Sequence, residues 1–565
     1  MARSSLFSTL RRLARRAQMA ALGVTPEQVA AAPRGPTRRE LLRRSIGAAA
    51  LLPLAPLVAA CGDNASGVAD LASVAIIGGG IAGLTCAYFL EKAGLHATVF
   101  EASMRTGGRM FTDYTSLAGG QLCDLGGELI DSDHVVIPLL AKELGLEVDD
   151  LIEATADLSH DLFYIGGKAL TEAEIVTAFT PVAAKMTAAL TAGDASTTEF
   201  SRIDNLSIPQ WLTQEAGLKT TDLMYRLLTV SFLEEFGLEV EQQSAWNMLT
   251  LIDANVPPDN FSVFGLSDER YHMHKGSQSV PDAIAATLPD QILVDHALTK
   301  VVANAADYTL TFTTSGGDVE ITVDHVVYAL PFTKLREVDL TAALLTADKT
   351  TVIQNLGYGT NAKLMLQFAD RPWETTGKSD GGSISDVGQL QTTWSTSRGQ
   401  AGAQGIMTNF VGGMRGVAIA DGTPEAQAQM VLPWLDTVFP GTSGTYLAKS
   451  AIRQHWPTYP FNKGSYASYL VGQWSFLGQE GARVGNQHFC GEHCSENFQG
   501  YMEGGAETGA MNAGEILDDL GVRLPPELQG IITMITARRR VPRGSYHAGF
   551  GKRMTIGQLR RRGPA

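Results

Sequence analysis

Cysteine is scarce in this sequence, the apolar stretch near its start is too short to cross a bilayer, and the body of the chain holds no excess of positive charge. The five cysteines among 565 residues, Cys61, Cys86, Cys123, Cys490 and Cys494, are too few for a disulfide framework. Cys490 and Cys494 stand four apart, but no second Cys or His cluster completes a zinc site, so no structural metal is expected. The stretch Ile46 to Ala60 falls short of the ~20 residues that span a membrane and is interrupted by Pro53 and Pro56. Acidic residues outnumber basic ones by 59 to 44, a formal charge of −15, which excludes a nucleic-acid partner for the folded body. The arginines crowd the ends, at Arg11, Arg12, Arg15, Arg16, Arg38, Arg39, Arg43 and Arg44 and again at 538–540 and 560–562, so the body is more acidic than the total. With 44% hydrophobic and 18% charged residues the chain is not disordered, and its length predicts two domains.

The first sixty residues read as an address. Arg38 and Arg39 precede the short apolar stretch in the manner of a secretory signal, and the pattern resembles signals of the twin-arginine (Tat) route, which carries folded proteins. Val58-Ala59-Ala60-Cys61 resembles a bacterial lipoprotein box, with Cys61 as the lipidated residue or as the neighbour of a plain cleavage site. Export to the periplasm or cell envelope, with a lipid anchor at Cys61 as one form of it, is the expectation.

Val74-Ala75-Ile76-Ile77 predicts a buried parallel strand, and Gly78-Gly79-Gly80-Ile81-Ala82-Gly83 follows it with a helical pattern from Leu84 to Lys92. Gly78 permits a tight turn, Gly80 lets backbone approach a pyrophosphate together with Ile81 and Ala82, and Gly83 lets the helix pack on the strand. The helix N-terminus offers unpaired N–H groups to phosphate. A second strand, Ala97 to Phe100, ends at Glu101-Ala102. This places a carboxylate where it accepts from a ribose hydroxyl and disfavours a 2′-phosphate. Arg105-Thr106-Gly107-Gly108-Arg109 and Asp124-Leu125-Gly126-Gly127 come next, two arginines with glycines that keep backbone close to a phosphate.

At this point the chain resembles the flavin-containing amine oxidase family, whose members carry GGR and D-x-GG or D-x-GA in this order. Phe489-Cys490-Gly491-Glu492 and Gly500-Tyr501-Met502-Glu503-Gly504-Gly505-Ala506 extend the resemblance. The family form has a single glycine where this chain has Gly504 and Gly505, which could shift the helix start. The resemblance spans about residues 71–520. It implies an α/β fold, a Rossmann-type FAD-binding domain with an inserted α+β substrate domain. The implied segments are 71–135, 270–335 and 456–520 for FAD, and 136–269 and 336–455 for substrate, with a signal segment 1–61 and a basic tail 521–565. It implies that Glu492 and Gly500 meet the ribityl–pyrophosphate region and that the amides near Met502 face the flavin N1–C2=O edge. Charge that develops there on reduction would be stabilised by the helix dipole. Glu128 continues the Asp124 motif, and by the same resemblance Trp456 would pack beside the flavin and Leu298 would contact adenine from a strand read over Ile292–Val301. A second strand is read over Ile321–Leu330.

The resemblance also implies the chemistry: hydride transfer from the carbon bearing an amine to flavin N5, with reoxidation by O2 to hydrogen peroxide. The position that carries a covalent flavin cysteine in monoamine oxidases is Ser465 here, so FAD is held non-covalently. Tyr466 and Tyr501 match the two walls of an aromatic cage in front of N5, where ring faces favour a developing cation. Each could equally be core packing. Lys363 matches a lysine near N5 whose charge would attract superoxide; an ordinary strand lysine would keep its ammonium in solvent. No arginine accompanies Glu128-Leu129-Ile130-Asp131, which favours an amine over an α-amino acid. Glu128 could pair with the distal ammonium of a diamine or be a surface carboxylate. Two other readings stand beside the oxidase: a flavin dehydrogenase or desaturase that passes electrons to a carrier, and an envelope flavoprotein with no substrate. Ile531 to Ile535, before Arg538 to Arg540, reads as a surface anchor, a partner-binding tail or disorder.

Overall fold

The computed structural model describes residues 71–538 except 161 and 253–267. The signal segment, Cys61 and the arginines from Arg539 onward lie outside the described residues.

Val74–Ile77 (β1) is buried at all four positions, as a strand covered on both faces must be. The chain turns through Gly78, at φ +113°, into helix Ile81–Lys92 (α1) and returns along Ala97–Phe100 (β2), which pairs parallel with β1. Ile292–Leu293 (β3), His325–Tyr328 (β4) and Gln487–Phe489 (β5) complete a five-stranded parallel sheet in the order β3-β2-β1-β4-β5. The strand order reverses between β1 and β4, and in such sheets the ligand crevice opens there, beyond the carboxyl ends.

Helix Met502–Asp519 (α2) lies against α1. A side chain on Gly509 would put its Cβ 2.1 Å from the Ala82 carbonyl oxygen, so the two backbones touch there. The extra glycine, Gly505, falls inside the helix, which begins at Met502. Its Cβ would stand 2.9 Å from Ile81, so it serves the same close approach. The final described helix, Pro526–Arg538, buries Leu528, Ile531 and Ile535 in the core formed by α1 and α2. The Ile531–Ile535 segment is thus part of the fold, and its apolar spacing of three and four residues is that of a docked helix.

Two runs that read as single strands are each divided. Ile292–Leu293 joins the parallel sheet, the chain turns at Asp295 (φ +61°), and Ala297–Ala303 enters a separate four-stranded sheet. In the same way Gly317–Val323 belongs to that second sheet and His325–Tyr328 to the first. Period-2 patterning does not say which sheet a strand joins.

The segments between β2 and β3 and between β4 and β5 contribute a mixed sheet of seven strands. Its core strands are Ala362–Phe368, buried throughout, and Gly405–Val411, paired antiparallel. Helices Glu172–Ala195, Ile208–Gln214, Leu223–Phe236 and Ala245–Ile252 pack beside it around Phe179, Trp211, Phe232 and Trp246.

Candidate active site

The glycine turn leaves no room for side chains at two of its three marked positions. A Cβ on Gly78 would lie 2.7 Å from the Ala329 carbonyl oxygen, and one on Gly83 would lie 2.1 Å from the Gly78 oxygen. At Gly80 the same construction meets nothing within 4 Å, because that face looks into open space. Glu101, buried at the end of β2, accepts from the N–H groups of Gly79 and Ser103 at 2.8 Å each. Its carboxylate therefore also fixes the turn that it faces.

The open space is a cleft of about 440 Å³. Gly78, Gly80, Ile81, Ala82, Glu101, Ala102, Arg105, Gly108 and Arg109 line one side, with Leu298 and Thr299 from the second sheet. Glu492, Tyr501, Met502 and Gly505 line the far end, where α2 begins. The sheet topology thus brings to one cleft motifs more than 400 residues apart. Gly83 stands behind it, between helix and strand.

Arg109 donates to Glu492 at 2.7 Å and to the Ser465 carbonyl at 2.8 Å, so its charge is balanced by the carboxylate rather than left for phosphate alone. Burial alone would raise the Glu492 carboxyl; the Arg109 charge outweighs this and holds it below its ordinary value. The other Glu492 oxygen accepts from Gly500 N–H at 2.9 Å. Arg105 lies over Phe111, its guanidinium carbon 3.8 Å from the ring centroid, and donates to the Thr106 and Gly108 carbonyls. Its buried Nε has no partner in the protein. Arg105 and Arg109 beside the bare face of Gly80 in one cleft fit an anionic dinucleotide. FAD suits the donor set.

Gly126, Gly127, Glu128 and Trp456 do not line this cleft. Trp456, fully buried, gives its indole N–H to the Leu125 carbonyl at 3.2 Å, and a Cβ on Gly126 would meet that indole at 3.2 Å. Gly127 N–H donates to the Arg109 carbonyl. The D-x-GG segment therefore packs behind the GGR segment. Glu128 is neither exposed nor free. It accepts from Lys363 Nζ at 2.8 Å and from the Trp394 indole at 3.0 Å. Lys363 is buried on strand Ala362–Phe368, also donates to the Asp124 carbonyl, and is a paired cation rather than a lone one. Sequence gave no sign of the pair because its members stand 235 residues apart.

Tyr466 is fully buried with Trp394, Phe410 and Trp456, and its hydroxyl donates to the Glu235 carbonyl. Tyr501 caps α2, and the edge of its ring meets the His134 ring at 5.5 Å between centroids. Ser465 Oγ donates to Asn361. Several positioning groups have no motif to announce them. Glu503 accepts from the N–H groups of Val135, Val136 and Ile137 at 2.7–2.9 Å and so caps helix Val136–Glu143 from the first turn of α2. His272 lies 2.8 Å from Asp124, whose other oxygen accepts from Thr112 and Ser277. Burial would lower the His272 value, yet Asp124 raises it. The same contact lowers Asp124 against its own burial.

A model of flavin-containing amine oxidoreductases matches residues 81–517, well over half of the sequence. The chain belongs to that family. It is 24% identical over 445 residues to an L-amino-acid oxidase of Siganus canaliculatus, covering 74% of this chain and 80% of the relative. To an L-amino acid dehydrogenase of Synechocystis sp. it is 23% identical over 485 residues, covering 78% and 94%. The solved structure of cyclohexylamine oxidase from Brevibacterium oxydans superposes with a TM-score of 0.68 at 20% identity, over 80% of this chain and 99% of that one, and shows the same two-domain fold. This amine oxidoreductase is an FAD-dependent enzyme acting on CH–NH groups of amines or amino acids, with FAD held non-covalently.

Proposed function

We propose that the enzyme oxidises a small-molecule amine or amino acid and passes the electrons to dioxygen. An amine, dioxygen and water would then give a carbonyl compound, ammonia or the remaining amine, and hydrogen peroxide. FAD, when bound, supplies the two-electron acceptor for the hydrogen on the carbon that bears nitrogen. One observation carries the reading: the dinucleotide cleft ends at Tyr501 and Met502, where an aromatic ring and the first turn of a helix meet.

The chain's own residues orient and exclude water. Burial removes water from Tyr466, and its hydroxyl is tied to a backbone carbonyl, so the ring has one orientation. Tyr501 is placed by the helix that it caps. The unpaired N–H groups at the start of α2 favour negative charge at the end of the cleft. Lys363 holds Glu128 and the Asp124 carbonyl in place behind it.

The test is anaerobic reduction of the purified yellow protein by a panel of amines and amino acids, followed by rapid mixing with aerated buffer. Bleaching by at least one member and fast return of colour with stoichiometric peroxide is expected. A second reading, a dehydrogenase with another acceptor, is favoured by the neutralisation of Lys363 by Glu128 and by the dehydrogenase among the relatives. Return of colour over minutes would decide for it.

Export by the Tat route to the periplasm or envelope, with a lipid anchor at Cys61, belongs to the same proposal and rests on Arg38, Arg39 and Val58–Cys61. Replacing both arginines by lysine should retain the enzyme in the cytoplasm. Unchanged fractionation would remove the claim.

A further inference from the structure

Two walls of the dinucleotide cleft follow from the sheet order. Strands β2 and β4 flank β1 on opposite sides, so the segments that leave their carboxyl ends, through Arg105 and through Lys334 and Glu337, face each other across the glycine turn. A third boundary comes from far downstream. Between the buried Trp456 and Gly464 the chain makes a compact loop. Tyr459 N–H donates to the Trp456 carbonyl at 3.1 Å, Lys463 N–H to the Tyr459 carbonyl at 2.9 Å, and Gly464 N–H to the Trp456 carbonyl at 3.2 Å. Tyr459, Pro460, Phe461 and Asn462 line the cleft. Phe461 is at the same time 37% exposed, and Pro460 and Lys463 are exposed too. A loop that meets the cleft with some atoms and solvent with others stands between the two.

The loop is fastened to both walls. On the β2 side, Arg105 donates from Nη2 to the Tyr459 hydroxyl at 3.3 Å. On the β4 side, the Thr333 hydroxyl, in the short helix Phe332–Leu335, donates to the Asn462 carbonyl. Glu337, just beyond that helix, accepts from Lys463 on the loop and, at 2.6 Å, from Lys334 on its own wall. Burial would raise the Glu337 carboxyl; the two lysines outweigh it and hold it below its ordinary value. Lys334 and Lys463 thus share one carboxylate, which leaves net positive charge beside a cleft that suits an anionic dinucleotide.

We infer that Tyr459–Lys463 is a strap across the FAD cleft, a part of the cofactor site that is closed by the Lys463–Glu337–Lys334 cluster and sets how fast FAD leaves. With no covalent tether, retention depends on the contacts made to the cofactor and on what must open before it departs. The strap meets both walls, so it has to part from at least one of them. The inference needs only bound FAD and is independent of substrate and of electron acceptor.

The experiment uses the holoenzyme, diluted into buffer of low ionic strength. Release of FAD is followed by flavin fluorescence and checked by the yellow colour left on the protein after gel filtration. Glu337 and Lys463 are both exposed, and exposed ion pairs add little to overall stability, so their loss leaves the fold intact. Glu337→Gln removes both lysine contacts and should release FAD about fivefold faster than wild type. Lys463→Met should give a smaller increase. Adding Lys463→Met to Glu337→Gln should change nothing more, because the lysine acts through the carboxylate. At about 1 M salt, where exposed charges are screened, wild type and variants should release FAD at one common rate. Release from Glu337→Gln at the wild-type rate in low salt overturns the strap. A faster release that persists relative to wild type in high salt also overturns it, since the substitution would then have loosened the fold. Additive effects in the double variant overturn the cluster, because Lys463 would then act on the cofactor without Glu337.

Discussion

A methyl group on Gly83 would lie 2.1 Å from a backbone oxygen and 3.0 Å from Ile76, with no flexible side chain able to yield. Gly83→Ala should therefore destabilise the dinucleotide unit by about 1–3 kcal/mol or more and lower the flavin retained through purification, read from the ratio of visible to ultraviolet absorbance. Full flavin content with an unchanged melting temperature would contradict the packing argument. The buried pair gives a sharper contrast. Lys363→Met leaves Glu128 charged and buried with only the Trp394 indole, a change that typically costs about 3–5 kcal/mol. Adding Glu128→Gln should recover most of that loss in urea unfolding, whereas two independent side chains would give additive losses. The Asp124–His272 contact makes stability depend on pH at both ends. His272 is raised, so its stabilisation is full below its ordinary value of 6.5 and is lost as pH rises through the raised one. Asp124 is lowered, so the same contact is present above the ordinary 3.8 and is lost as pH falls through the depressed value. His272→Asn should flatten the fall of melting temperature on the alkaline side. A slope that persists would assign it to another group.

At the scale of elements, the contact of α1 with α2 depends on two glycines of unequal strictness. A Cβ on Gly509 meets backbone at 2.1 Å, but one on Gly505 meets a side-chain methyl of Ile81 at 2.9 Å. Gly509→Ala should thus cost clearly more in stability and flavin affinity than Gly505→Ala. Equal effects would mean that the helices separate freely. Glu503 joins two elements, since its carboxylate caps Val136–Glu143 while its backbone opens α2. Glu503→Ala removes the partner of three helix-start N–H groups and should lower stability by about 2 kcal/mol, in the upper range for caps. Strand, glycine turn and helix from Val74 to Lys92 were legible because local period and local sterics agree there. The strands around Leu298 and His325 were not, since one apolar run supplied edges to two different sheets. Ile531–Ile535 was open for a similar reason: a short apolar helix is defined by the core that receives it.

For the whole molecule, the absence of sulfur at Ser465 means that nothing at that position can tether the cofactor. The Ser465 hydroxyl is instead bonded to Asn361. Acid precipitation should leave a colourless pellet and a yellow supernatant with the spectrum of free FAD; colour in the washed pellet would reveal a covalent link elsewhere. Arg109 with Glu492 and Lys363 with Glu128 each close a loop of more than 200 residues, and both couple the start of the chain to its far half. By itself the sequence determined the dinucleotide unit, which follows from glycine sterics and strand period, while the family and the untethered cofactor were implied by the resemblance of its motifs. Only the tertiary structure decided that Glu128 is the partner of Lys363 and that Trp456 packs behind the cleft. Charge pairing in a dry interior is fixed by which distant strands meet, and no local pattern records that.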